Sequence, residues 1–397
     1  MNAPLSKKLN EVKWGEFKIG DLFEILSYKK RFDANKVQLE NQGHPYIVRT
    51  ALNNGLKGFL NEDEKYLNEG NTISFGQDTA TMFYQEKPYF TGDKIKILKP
   101  KYSRFGKAKA LFFITEMTKS FSNFSWGSTS FSVDTISDQQ VSLPITPENK
   151  IDFDFMEAFI RELEEERIRE LVAYLKVSGF DNYKLSKCES EALAHFNELK
   201  WKEFNLIDVF DVKNTHNILS NEIKKDSGSV PYLCASSVNN GVSSYISYKE
   251  ELVEKGNCIF IGGKTFVVSY QEKDFFSNDS HNLALYVKDL QPTKLNQLYL
   301  ATCVYKGLNH KYTWGDSISG AKIKSDKIII PVTPDDSPDY AFMETFISAV
   351  QKLVIKDVVL YTNKKIAATK QAVHKNPSDY KTPEGFGTLK VAEHNDV

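Results

Sequence analysis

Short apolar or alternating runs recur along the first 150 residues: "PYIVRTAL" from position 45, "NTISFG" from 71, "DKIKIL" from 93 and "QQVSLPIT" from 139. Asn-Gly, Gly and Pro separate them, a pattern that predicts the strands of a sheet-rich domain. "KALFFITEMTKSF" from 109 and "LNQLYLATCVYKGL" from 295 are predicted helices. After "PITP" at 144 and "PVTP" at 331 the period changes. Met156, Ile160, Leu163, Arg167, Leu171 and Tyr174 follow one another at intervals of three and four, and so do Met343, Ile347, Val350, Val354, Val358 and Tyr361. Each set shares one face of an α-helix and approximates a coiled-coil seam. Such a stripe packs on its own domain, or two related stripes pack on each other. Asp152 or Asp154 is the expected cap of the first helix, and Pro338 with Asp339 starts the second.

The pattern occurs twice. "WGEFKIGDLFEI" from 14 returns as "WKEFNLIDVFDV" from 201, and "PYIVRTALNNGLKGFL" from 45 as "PYLCASSVNNGVSSYI" from 231. "GNTISFG" from 70 returns as "GNCIFIG" from 256, and "YQEKPYFTGD" from 84 as "YQEKDFFSND" from 270. "WGSTSFS" from 126 has a looser echo in "WGDSISG" from 314, and "PITPENKIDFDFMEAFI" from 144 returns as "PVTPDDSPDYAFMETFI" from 331. The order is kept and the offsets stay between 186 and 188, so the chain is a tandem duplication. A solenoid unit is ~20 to 50 residues long, so each half must be a domain in its own right. "NNG" marks a tight turn in both, because Asn and Gly tolerate left-handed backbone. The expected layout is a first domain at 1–150, a helix and connector at 151–198, a second domain at 199–334, a second helix at 335–374 and a polar tail at 375–397.

At 397 residues and 41% hydrophobic content the chain can bury two or three cores. A formal net charge of -1 supplies no global attraction for nucleic acid. The distribution is less even: residues 94–109 carry Lys94, Lys96, Lys99, Lys101, Arg104, Lys107 and Lys109 without one acid, a run able to follow phosphates by counterion release or to form a solvated face. "RELEEERIRE" at 161–170 reads as an exposed helix face. Cys188, Cys234, Cys258 and Cys303 lack C-x-x-C spacing, so reduced thiols are expected rather than disulfides or a zinc site. The N-terminal stretch has no apolar core of signal-peptide length, and no apolar run approaches the ~18 residues of a membrane span; a cytoplasmic location is the expectation.

Catalytic motifs are missing. There is no G-x-x-x-x-G-K-[ST] loop, G-x-S-x-G turn or H-E-x-x-H pair, and "IGGKTF" at 261–266 lacks the second glycine of a phosphate loop. His44, His216, His281 and His310 form no recurring pair. A duplicated catalytic domain would repeat its catalytic residues. This chain repeats aromatics, turns and a helix, as expected of a protein that binds something bipartite.

Tandem "W-x-E-F-x-x-x-D-x-F", "PY…NNG", "G-N-x-I-x-x-G", "YQEK" and "P-x-T-P…F-M-E-x-F-I" resemble the specificity subunits of type I restriction-modification systems, and the shorter "MEAFI" version is similar to those of type IIB systems. The resemblance covers roughly residues 14–370. It implies an α+β fold: two homologous sheet-rich target recognition domains separated by long helices packing as an antiparallel coiled coil. It implies a subunit without catalysis of its own, each half reading one part of a split DNA target. The implied partners are double-stranded DNA, methyltransferase subunits that carry S-adenosylmethionine, and a nuclease or translocase subunit; this chain itself would hold no cofactor or metal.

Reading bases calls for Arg or Lys towards guanine and Asn or Gln towards adenine, carried on loops. By position the candidates are Arg49, Asn53, Asn54, Gln77, Lys101, Arg104 and Ser128 in the first half, and Asn239, Asn240, Lys264, Lys311 and Ser317 in the second. The asparagines serve equally as turn formers. Base-reading loops are expected where the copies differ, as at Gln77-Asp78 against Gly263-Lys264, whereas the repeated Trp14, Trp201, Phe90 and Phe276 are expected in cores. Arg161, Glu164, Glu165 and Arg169 are candidates for docking a methyltransferase. The competing readings are a bivalent protein for glycan or protein targets, a decoy subunit, and an enzyme with its active site between the halves.

Overall fold

The computed structural model describes residues 3–122, 131–288 and 291–373. It divides into one unit of Met1–Ala173 with Lys365–Val397 and another of Tyr174–Lys364.

The first unit begins with α1 (Ala3–Glu11), β1 (Lys13–Lys18), α2 (Ile19–Leu22), β2 (Phe23–Ser27), β3 (His44–Ile47) and β4 (Leu56–Leu60). It continues through β5 (Thr72–Gly76), β6 (Met82–Gln85), β7 (Phe90–Thr91), β8 (Ile95–Pro100), α3 (Lys107–Phe121), α4 (Val133–Asp138), β9 (Gln140–Ile145) and the long α5 (Phe153–Val177). Three sheets result, with strand orders β2-β8-β5-β6, β4-β3-β7 and β1-β9. Among the described strands all pairings are antiparallel except β3 with β7.

The second unit repeats this strand for strand. After α6 (Lys187–Ala194) come β10 (Trp201–Asn205), α7 (Leu206–Val209), β11 (Phe210–Asn214), β12 (Val230–Leu233), β13 (Val242–Ile246), β14 (Cys258–Gly262), β15 (Val267–Gln271), β16 (Phe276–Ser277) and β17 (Leu283–Val287). Then follow α8 (Lys294–Leu308), β18 (Lys327–Pro331) and α9 (Tyr340–Val373). Its sheets, β11-β17-β14-β15, β13-β12-β16 and β10-β18, are the first unit's with every strand number raised by nine. The fold is α+β, two homologous sheet-rich domains with a long helix after each. Asp152 and Asp339 cap those helices, each accepting from a backbone N–H three residues on, at 2.8 and 2.9 Å.

Every residue of β5 and β14 is buried; β14 is apolar throughout, and β5 also buries Thr72 and Ser74, whose hydroxyls donate to the Glu69 and Phe83 carbonyls. The main core of each unit forms where these strands meet the helix that covers them: Ile73 and Phe75 with Phe113 and Met117, and Ile259 and Ile261 with Leu300 and Val304. Met156 and Met343, fully buried, insert the start of each long helix into its own domain's core, each contributing ~1.5 to 3 kcal/mol. Phe90 and Phe276 are buried in smaller cores as expected, but Trp14 and Trp201 are 36% and 38% exposed at the edge strands β1 and β10.

The repeated motifs form one device. Asn53, Asn54 and Gly55 all have positive φ (48°, 53°, 77°), as do Asn239, Asn240 and Gly241 (50°, 52°, 82°), the backbone for which Asn and Gly are suited. The Gln of "YQEK" holds that turn: Gln85 Nε2 donates to the Asn54 carbonyl at 3.2 Å and Gln271 Nε2 to that of Asn240 at 3.0 Å. Its Tyr donates to the Asn of "GN", Tyr84 to Asn71 at 2.9 Å and Tyr270 to Asn257 at 3.1 Å. A Cβ at Gly70 would sit 2.5 Å from the Glu86 carbonyl oxygen, and one at Gly256 2.4 Å from the Lys273 carbonyl carbon, so both glycines admit the backbone of "EK".

The helical stripes hold only near their N-termini. Met156 and Ile160 are buried, but Tyr174 is exposed and its neighbour Leu175 is buried instead. In α9 Val354 and Tyr361 are exposed, while Ala349, Val359 and Thr362 are buried. Leu163, Leu171, Ile347, Val350 and Val358 are half-buried. The unit boundaries fall inside both helices, and within the first unit Lys365 of α9 lies 3.7 Å from Glu164 of α5. Glu166, within the acid-rich run expected to be exposed, is buried.

Candidate DNA interface

At the end of the central sheet where Gly76 of β5 pairs with Ile95 of β8, several loops of the first unit converge. Gly92 N–H donates to the Ile47 carbonyl at 2.8 Å, Gln77 N–H to that of Lys94 at 2.8 Å, and Phe131 N–H to that of Gln77 at 3.1 Å. These bonds gather the loops after β3, β5 and β7 and the return from α3. Arg49 is held there between two carboxylates, paired with Asp78 and 3.9 Å from Asp93. Lys94 reaches Asp78 at 2.9 Å and Arg31 reaches Asp93 at 3.8 Å. Asp33 also lies 3.9 Å from Arg31, so three cations and three acids share one cluster, with Arg49 still 30% exposed. Fixed, partly exposed guanidinium and ammonium donors suit guanine edges or phosphates, and a carboxylate between them suits cytosine N4.

The second unit has the same scaffold with other contents. Asp279, the counterpart of Asp93, binds Lys264 at 3.0 Å and His281 Nδ1 at 2.7 Å, and also accepts from the His281 N–H at 2.9 Å. Burial opposes its charge, but the His281 N–H and ring with the Lys264 ammonium outweigh that, and its pKa is lowered to about 2. Ala235 stands where Arg49 does, and Lys264 where Asp78 does. One carboxylate is kept in both halves, and what it holds differs.

The candidate residues divide accordingly. Arg49, Gln77 and Lys264 lie in these clusters, with the turns of Asn53, Asn54, Asn239 and Asn240 closing the adjacent strands. Asn239 and Asn240 spend their side-chain amides internally, on the Val242 and Tyr270 carbonyls at 2.9 and 3.0 Å, and Asn53 reaches the Leu56 carbonyl at 3.4 Å. The loop of Ser317 returns at Gly320 beside Asn214, whose side chain donates to the Ser280 carbonyl at 2.8 Å. Lys101 and Arg104 lie past the opposite end of β8. Lys101 donates to the Gly20 carbonyl of α2, just as Lys288 donates to Ile207 of α7, a repeated packing role. Lys311 is also elsewhere, bonded to buried Asp326 at 3.1 Å. Ser128 lies outside the described residues. The basic run is dispersed: Lys99 pairs with Glu69, Lys109 with Glu157 and Lys107 with Glu164, at 2.8, 2.6 and 3.9 Å. Sequence reasoning passed over Arg31, Asp93, Asp279 and His281. Asp93 and Asp279 were visible, however, as the acid that ends both copies of the repeated decapeptide.

A family model described as "Type I restriction modification DNA specificity domain" matches residues 11–173 and 198–361. The chain belongs to this family. The specificity subunit S.BcgI of a type II restriction enzyme from Heyndrickxia coagulans is 26% identical to it over 353 residues, 87% of this chain and 97% of that protein. The crystal structure of a type I restriction-modification system S subunit from M. genitalium shares the fold at TM-score 0.58 and 13% identity, covering 91% of this chain and 94% of that one. Each of the two matches spans one repeat. Among the described residues no three His, Cys, Asp or Glu gather as metal ligands, and no helix is long and apolar enough to cross a membrane.

Proposed function

We infer that this chain is the DNA-sequence specificity subunit of a restriction-modification complex, each half reading one part of a bipartite target while the chain positions methyltransferase and nuclease subunits. The observation that carries this reading is the pair of loop clusters: one strand order and one retained carboxylate, with different cations at each. A shared scaffold with divergent contents is what two different half-sites demand. In this reading the long helices pack antiparallel as the spacer; at ~1.5 Å rise per residue α5 and α9 are about 37 and 51 Å long, enough to span one DNA turn of about 34 Å. A net charge of -1 is compatible with it, because partner subunits can supply phosphate contacts while this chain supplies base contacts. The chain performs no chemistry itself, and S-adenosylmethionine belongs to the methyltransferase subunit. Co-expression with that subunit, followed by methylome sequencing, tests the reading: a split motif supports it, and methylation at one continuous short site refutes it.

A further inference from the structure

The two units differ in what covers one equivalent groove. In the first, α1 packs beside the equivalent aromatics. Leu5 is buried in the core that includes Phe112 and Phe159, Trp14 Nε1 donates to the Leu9 carbonyl at 3.3 Å while its ring stacks on Phe112 at 6.2 Å, and Lys8 pairs with Glu162 of α5. In the second, Trp201, Tyr299 and Phe346, the counterparts of Trp14, Phe112 and Phe159, line an open groove of about 770 Å³. The segment matching α1 is bonded to α9 and supplies Phe196 to the groove's wall. Glu189 bonds Ser348 and Lys352, Ala192 replaces Leu5, and Phe196, replacing Leu9, stacks on Phe346 at 4.7 Å.

The groove leans basic: Lys306, Lys311 and Lys327 line it against one carboxylate, Glu203, which pairs with Lys327 at 2.6 Å, while Lys311 is bonded to Asp326. Glu116, Glu162 and Gln140 of the first unit give way to Cys303, Ala349 and Lys327. Lys119 is neutralised by Glu116 at 2.6 Å, whereas its counterpart Lys306 has no ion-pair partner among the described residues. Ile329, 56% exposed, adds an apolar wall where the first unit has Ser142. An exposed apolar groove with unneutralised charge at its rim is a protein-binding surface by its chemistry. Beside the equivalent aromatics the first unit packs a short helix with apolar residues four apart. The α1 of a second copy, which carries Lys7 and Lys8 against one acid, Glu11, is a poorer match to that rim than an acidic helix.

We propose that this groove receives an acidic amphipathic helix of the methyltransferase subunit, an inference that rests on the function proposed above. The full chain is titrated with that subunit as wild type, Lys306→Glu, Lys306→Arg and Lys119→Glu, and the wild-type complex is treated with a zero-length carbodiimide cross-linker. Lys306→Glu is expected to weaken the complex tenfold or more, the other two to stay within twofold, and Lys306 to link to Asp or Glu of the methyltransferase. An intact complex indifferent to Lys306→Glu, or a link from Lys306 to a second copy or to residues 374–397 of the same chain, overturns the docking site alone. Failure of the wild-type proteins to associate overturns the functional reading with it.

Discussion

Arg49 and Lys101 are both loop cations at the end of a strand, yet the fold gives them different employment. Arg49 is fixed between Asp78 and Asp93 with part of its guanidinium facing solvent, whereas Lys101 closes α2 at the far end of β8. With the proposed function, Arg49→Ala should cost ~1 to 3 kcal/mol of discrimination and relax the first half-site only, while Lys101→Ala leaves both half-sites unchanged in methylation mapping. Asp279→Asn, which loosens Lys264 and His281, should by the same assay alter the second half-site alone. Glu189 bears on stability instead. Although burial opposes its charge, Lys352, Ser186 and Ser348 hold its pKa at about 2 against an ordinary 4.5. Its contribution is therefore complete above pH 4.5 and lost as pH falls towards 2. Glu189→Gln should destabilise the second unit by about 2 kcal/mol at neutral pH, with the difference in denaturation midpoint shrinking on acidification. Of these residues, Arg49, Lys101 and Lys264 were legible from sequence as loop cations, and Asp93 and Asp279 only as repeated acids. Which cation each one holds depends on loops distant in sequence.

At the scale of elements the repeats explain themselves. "NNG", "GN" and "YQEK" recur because they bond one another, and packing alone accounts for their retention. Gln85→Ala or Gln271→Ala should lower stability by ~1 kcal/mol each in chemical denaturation, with Gly70→Ala and Gly256→Ala costing more because the added methyl meets backbone. The strands, the packing helices and the starts of α5 and α9 were readable from periodicity and caps, since a residue's face follows from local geometry. The later turns of α5 and α9 were not. Tyr174 and Val354 satisfy the predicted spacing and are nevertheless exposed, because burial there depends on which neighbour covers the helix.

For the whole molecule, the proposed spacer role makes a length prediction. Deleting one heptad from both α5 and α9 removes about 10 Å from each, and methylation mapping should show a changed gap between half-sites, by roughly three base pairs, with neither half-sequence altered. An unchanged gap defeats the spacer role. The duplication, the α+β character of each half and the family were contained in the sequence, because ordered repetition at a constant offset and the alternation of apolar residues are properties of the chain itself. Only the tertiary structure separated Arg49 from Lys101, dispersed the basic run among acids from remote segments, and left one of two equivalent grooves open. Charge neutralisation and burial are decided by side chains that meet through space, and linear order does not encode that meeting.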